Sequence, residues 1–326
     1  MATRFEILLH GAKEAALRAA GEEALDEVDR LEAQLSLYRP TSEIARVNAL
    51  AARRPVSVSP PVFQLLRHAQ QLHEETGGAF DITIGPLVRC WGFMGGQGRM
   101  PEPKELDEAR ALVGMRHIIL DEKDFSVRFD RAGLILDLGA IGMGYAIDCA
   151  ARLLRECGVT SALLHGGTST TCALGAPPGA ETWQVAVAAA PDVPGQTPPL
   201  QTVLRLRDEA LSVSAIWGRS FEAGGRTYGH VLDPRTGEPV NKAALAAVVL
   251  PSATETDALS TALLVEGPAG AAKIKRLRPG MRILVLERDI MGSPPAVRSL
   301  SPAPRRRRPH KARQLCRAPN RNWGPG

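Results

Sequence analysis

Apolar and polar residues alternate from Phe5 to Leu9, the period of a strand with one face in a core. The period then lengthens. Across residues 12–35 the positions Ala24, Val28, Leu31 and Leu35 recur at helical spacing, which predicts a helix with one buried stripe. Tyr38-Arg39-Pro40-Thr41-Ser42-Glu43 reads as a turn, with Ser42 placed to cap a short helix that runs to Asn48. Val62, Leu65, Leu66, Ala69 and Leu72 mark a second amphipathic helix, closed by Gly77-Gly78. Periodicity lapses into a loop over 80–100, then a short helix is expected near 103–112. Residues 118–120 and 127–129 read as a hairpin and 134–138 as another strand. Residues 142–157 are helical, with Tyr145, Ile147, Ala150 and Leu154 on the apolar side. Strands are expected around 163–164, 184–188, 202–206 and 247–250, and closing helices over 255–265 and 267–276. Strands and helices mix without a regular βαβ period, so the fold class is α+β rather than a doubly wound sheet. No internal repeat is evident.

Composition narrows the function classes. A chain of 326 residues is long enough for a sizeable core, and 44% hydrophobic with 23% charged residues is ordinary for a globular protein. No apolar run approaches the roughly 18–20 residues of a membrane span. The start, Met1-Ala2-Thr3-Arg4-Phe5-Glu6-Ile7, lacks the features of a secretory signal, so the sequence as written reads as cytoplasmic. An upstream leader would instead place it in the periplasm or on a membrane anchor. The net charge of +5 conceals a division, because all nine Lys and Arg after Ile290 stand in a stretch without a single acid. The body before it is mildly acidic and gives no electrostatic footprint for nucleic acid. Residues 290–326, rich in Pro and Arg with a run from Arg305 to Arg308, read as a disordered basic tail separate from a domain over 1–289. Cys90, Cys149, Cys157, Cys172 and Cys316 are scattered without C-x-x-C spacing, as expected of reduced thiols rather than a zinc cluster or disulfide framework.

Five segments carry candidate chemistry. In Thr254-Glu255-Thr256-Asp257-Ala258-Leu259-Ser260-Thr261, Asp257 and Thr261 share a helix face, and a carboxylate with a hydroxyl suits a hard ion such as Mg²⁺. The same spacing equally suits a helix-dipole Asp and a Thr bonded back to the preceding turn. In Tyr228-Gly229-His230-Val231-Leu232-Asp233-Pro234-Arg235-Thr236-Gly237, the last five residues have the makings of a tight turn. His230, just before it, is either a proton carrier or a satisfied structural histidine. Leu136-Asp137-Leu138-Gly139-Ala140-Ile141-Gly142-Met143-Gly144 runs a strand into a glycine-rich turn and a helix, without the G-x-G-x-x-G or Walker pattern. Thr76 to Leu87, leading to Trp91-Gly92-Phe93, suits a loop around a flat ligand, and His165-Gly166-Gly167-Thr168-Ser169 is a plain turn or a phosphate cradle.

The order and company of these segments, together with Leu35 to Ile44, Asn48 and Gly78 to Leu87, resemble the ApbE family, the FAD:protein FMN transferases, from Met1 to about Leu286. The resemblance implies a single T-fold-like domain with mixed sheets and flanking helices. It also implies Mg²⁺-dependent transfer of FMN from FAD to a Thr or Ser hydroxyl of a target flavoprotein, with release of AMP. Hydrolysis of FAD by water, or flavin binding without catalysis, are the alternatives. By the same resemblance Asp257, Thr261 and the Gly142 carbonyl hold the metal, and His230 is the acid/base residue. Met1 and Tyr38 then pack on the isoalloxazine, while Ala79, Phe80, Asp81, Gly139, Val231 and Ser260 line the FAD site. The sequence departs from the family pattern at Met143, where many relatives carry Lys, and at Leu164-His165-Gly166-Gly167-Thr168, where Asn-Ala-Gly-Gly-Asp is common. The tail has no counterpart in the family.

Overall fold

The computed structural model describes residues 3–188, 200–287 and 297–298, so Met1, Cys316 and most of the basic tail lie outside the described residues. Strand β1 (Phe5–Leu9) leads into helices α1 (Glu14–Leu35) and α2 (Glu43–Leu50), then β2 (Val56–Ser57) and α3 (Pro60–Thr76). Two short helices follow, α4 (Gly85–Cys90) and α5 (Pro103–Ala111), then the hairpin β3 (Ile118–Asp121) and β4 (Ser126–Phe129), and α6 (Gly142–Glu156). The second half brings β5 (Ala162–Gly166), β6 (Thr170–Leu174), β7 (Trp183–Ala188), β8 (Leu200–Leu206) and β9 (Glu209–Ala215). It ends with β10 (Ser220–Ala223), β11 (Arg226–Gly229), β12 (Ala243–Leu250), α7 (Ala253–Lys275), β13 (Arg282–Glu287) and β14 (Val297–Arg298).

Seven strands pair antiparallel in the order β1-β5-β6-β9-β12-β13-β14, with smaller sheets β2-β4-β3, β7-β8 and β10-β11. The main core lies on one face of the large sheet, where Ala24, Val28 and Leu31 of α1, Ile147 and Leu154 of α6, and Leu259 and Leu263 of α7 meet strand residues such as Leu164 and Val248. On the opposite face the β7–β8 hairpin contributes Trp183, Val185, Leu204 and Leu206, which cover Leu163, Leu211, Leu245 and Leu284. This is an α+β arrangement. No helix among the described residues is long and apolar enough to cross a membrane.

Several local differences from the sequence pattern stand out, most with a physical cause. Residues 134–138 form no strand. Their pairing is supplied by a side chain, because Asn48 donates to the Leu136 carbonyl at 3.0 Å and accepts from Leu136 N at 2.7 Å, so one amide on α2 imitates a neighbouring strand. Within the stretch expected to be loop, Pro86 sits in the first turn of α4, a position that tolerates its missing N–H. The unforeseen strand β9 reads as polar because of Ser212 and Ser214. Those hydroxyls face inward, Ser212 to Thr170 at 3.1 Å and to Thr256 at 2.8 Å, in place of apolar side chains. The closing helices merge into α7 across a kink at Gly267, next to Pro268. Val297 and Arg298 of the basic tail pair with β13 as a further edge strand.

Helices α6 and α7 meet at their N-terminal halves through a built contact. Asp148 of α6 accepts hydrogen bonds from Ser252 Oγ (2.8 Å), Ala253 N (2.8 Å), Thr254 N (2.9 Å) and Thr254 Oγ1 (2.7 Å). It thereby satisfies the first N–H groups of α7, while Ser252 caps the same helix from within by accepting from Glu255 N at 3.3 Å. One turn earlier, Gly144 lies so close to α7 that a Cβ there would fall on the Ala253 carbonyl and 2.8 Å from the Asp257 Cβ. Asp148→Ala, which strands these donors, is expected to cost about 2–4 kcal/mol, read in thermal unfolding as a Tm lower by about 5–12 °C. A Tm within 2 °C of the parent would show that the cap is not a mainstay of this contact.

Candidate functional site

The α6–α7 contact places Asp257 under the first turn of α6. Its side chain is buried, and Oδ2 accepts from Gly144 N at 3.0 Å. Burial without a balancing cation pushes the carboxyl up to about 7, although the Gly144 N–H pulls the other way. Oxygen donors gather beside it. Ser260 Oγ and Thr261 Oγ1 donate to the Asp257 carbonyl at 3.0 and 3.3 Å, and Ser214 of β9 lies 2.8 Å from Ser260 Oγ and 3.2 Å from Thr261 Oγ1. Ser214 was not foreseen, and the alternation of Ser212 and Ser214 with the apolar positions of β9 was the available signal. Thr261 therefore does bond back to its own helix, as a structural threonine does, while standing one turn from the carboxylate. Gly142 opens α6 and is buried, with its N–H on the Leu138 carbonyl at 2.7 Å.

His230 follows directly on β11. Its backbone N–H donates to the Arg219 carbonyl at 3.0 Å, and its Nδ1 lies 3.1 Å from the same oxygen. A carbonyl only accepts, so Nδ1 carries the proton and Nε2 keeps the lone pair. Burial draws the imidazole below its ordinary 6.5, against the hydrogen bond to Arg219 and aided by the Arg219 charge, so the ring is neutral at neutral pH. The hairpin that ends at His230 is held by stacked rings. Phe221 and Tyr228 lie 5.3 Å apart at 18°, Tyr228 stacks on Trp91 at 5.7 Å, and Phe93 meets His230 edge-on at 6.4 Å.

The turn beyond His230 closes by Gly237 N on the Asp233 carbonyl at 2.8 Å, with Gly237 at φ 79°, a conformation that favours glycine. Trp91 Nε1 donates to the Gly237 carbonyl at 2.8 Å, tying this turn to the end of α4. Arg235 is locked to Asp233 and Glu266, each at 2.9 Å, and Lys273 to Glu266 at 3.1 Å and to the Thr76 carbonyl at 2.8 Å. The loop with Ala79, Phe80 and Asp81 is thus braced from the same side. The side chains of Ala79 and Phe80 are part of the main core. Asp81 Oδ1 accepts from Thr83 N at 2.8 Å and Thr83 Oγ1 at 2.6 Å, and Oδ2 pairs with His73 Nδ1 at 3.1 Å. Burial pulls His73 down, but the Asp81 carboxylate outweighs it and holds the imidazole above its ordinary value.

Asp137 joins this loop to the α6 turn. Its N–H donates to the Ile82 carbonyl at 2.7 Å and its Oδ1 accepts from Gly139 N at 2.8 Å, leaving Gly139 exposed. Burial raises Asp137, partly offset by that N–H and by the nearby Arg219 charge. Tyr38 is 59% exposed in the turn before α2, a large ring left facing outward, whereas Val231 is half-buried and Ser260 fully buried. Met143 packs away, its Sδ 3.3 Å from Ser169 Oγ. Met1 lies outside the described residues.

The structure therefore brings Asp257, Ser260 and Thr261 against the α6 turn, and links them through β9 to the hairpin of His230. Among the described residues no three His, Cys, Asp or Glu are grouped so as to hold a metal ion between them. The donor set of one carboxylate, hydroxyls and main-chain carbonyls does fit Mg²⁺, which binds one or two carboxylates and completes its shell with water and substrate phosphate.

The ApbE family model matches residues 1–285. The FAD:protein FMN transferase of Klebsiella pneumoniae is 30% identical over 285 residues, covering 85% of this chain and 79% of its own. Among solved structures, the apo flavinyl transferase ApbE of Pseudomonas stutzeri is 31% identical with a TM-score of 0.74, covering 88% of this chain and 92% of that one. The ApbE protein of Thermotoga maritima is 25% identical with a TM-score of 0.77, covering 87% and 94%. A match along the described body in both sequence and fold shows that this chain belongs to the ApbE family.

Proposed function

We propose that this chain transfers the FMN half of FAD to a threonine or serine hydroxyl of a target flavoprotein, with Mg²⁺ bound by Asp257, Thr261 and the Gly142 carbonyl. The observation that carries the reading is His230: a neutral imidazole whose tautomer is set by the Arg219 carbonyl, so that Nε2 is the basic nitrogen. An alkyl hydroxyl is a poor nucleophile at neutral pH, and a base within reach of its proton accelerates attack by about 10²–10⁴-fold. The acceptor oxygen forms its bond to the FMN phosphorus, the anhydride bond to AMP breaks with its electron pair, and the hydroxyl proton passes to His230 Nε2. The metal, when bound, neutralises the diphosphate and steadies the departing AMP. Gly139, Val231, Ser260 and the Ala79–Asp81 loop form the flavin cleft in this reading, with Tyr38 and Met1 against the ring.

His230→Ala is expected to lower FMN transfer by about 10²–10⁴-fold while FAD affinity stays within a few-fold, measured with FAD, Mg²⁺ and an acceptor protein. Because Nε2 works only when unprotonated, kcat/KM should hold above the His230 pKa and fall as pH drops through it, with an acid limb centred below 6.5. Transfer by the Ala variant at the parental rate would remove His230 from the mechanism. Free FMN in solution, in place of FMN on protein, would assign water as acceptor.

Asp257 allows a second test. Its carboxyl rises from 3.8 to about 7 on folding, so the metal-free protein loses stability as pH climbs through that window. Asp257→Asn removes the uncompensated charge and is expected to be more stable than the parent by about 2 kcal/mol at pH 8 with chelator present. The same variant should lose the rise in Tm that Mg²⁺ gives the parent. A Mg²⁺-induced rise that survives the substitution would move the metal elsewhere.

A further inference from the structure

We infer that Arg219 is the anchor for the diphosphate of the dinucleotide substrate; the inference rests on the transfer reaction proposed above. Its main chain and its side chain have separate jobs. The carbonyl receives both N–H groups of His230, which fixes Arg219 beside the reacting centre whatever its side chain is. The guanidinium is exposed, forms no ion pair among the described residues, and has one hydrogen bond there, a long 3.5 Å contact from Nη1 to the Phe93 carbonyl.

That freedom distinguishes it from its neighbours. Arg235 and Lys273, the cations that brace the adjoining loops, are each tied to Glu266, and Arg235 also to Asp233. Met143, at the glycine-rich turn, offers a thioether packed on Ser169 and no charge. The charge of Arg219 is felt both by Asp137, beside the exposed Gly139, and by His230. A guanidinium held by its backbone next to the base, with its donors unengaged, suits a substrate group that is anionic and offers several oxygens. A diphosphate is such a group, and the planar fork of donors matches it. In that position Arg219 also meets the charge that develops as the anhydride bond breaks.

The test compares Arg219→Gln and Arg219→Lys with the parent, titrating each with FAD and with riboflavin, which lacks phosphate, in the presence of Mg²⁺ and following flavin fluorescence. Charge-assisted hydrogen bonds to phosphate correspond to a roughly 10–100-fold weaker Kd for FAD in the Gln variant. The Lys variant should recover part of that loss, and riboflavin affinity and Tm should stay at parental values. Unchanged FAD affinity in the Gln variant, or an equal loss for riboflavin, would overturn the assignment. A parent enzyme that yields no protein-bound FMN would instead overturn the transfer reaction itself, independently of how the variants bind.

Discussion

The close crossing of α6 and α7 is the constraint on which the site depends. Gly144 lets the two backbones approach, Asp148 satisfies the opened end of α7, and Asp257 accepts a hydrogen bond from Gly144 N. The three contacts support one another and hold the first turn of α6 against the face of α7 that bears Ser260 and Thr261. Interiors packed at this density respond to a displaced backbone by shifting neighbours, not by flexing locally. The placement of these oxygen atoms is therefore a property of helix packing.

The second half of the site rests on aromatic packing. A two-stranded ribbon alone is marginal in water, yet β10 and β11 are fixed because Phe221 and Tyr228 continue the stack begun by Trp91 and Phe93. The same Trp91 binds the turn after His230 through its indole N–H, so one side chain fixes the histidine from before and after. Polar and apolar bonding converge on a short stretch of chain, which is why an irregular segment can hold an imidazole at a defined angle.

Much of this was legible in the sequence, and the remainder was hidden for identifiable reasons. The helical spacing of Ala24, Val28, Leu31 and Leu35, the Ser42 cap and the Gly77 stop all lie where local chemistry places them, because each depends on near neighbours. Strand β9 was not legible: inward-facing serines look like outward-facing ones until the hydroxyls of α7 are opposite them. The imitation of a strand by Asn48, 88 residues from its partner Leu136, has no local signature either. Asp257 and Thr261 were visible as a helix pair, but Ser214 showed only as a serine alternating with apolar positions, and the burial that raises the carboxyl of Asp257 left no sign in the sequence.

The contact between His230 and a main-chain oxygen has a consequence for substitution. Since every amino acid supplies the same carbonyl at position 219, no single side-chain replacement there removes the acceptor that sets the imidazole tautomer. The angle of the imidazole then rests on the rings that seat the hairpin, and a change of side chain at 219 leaves the tautomer as it is.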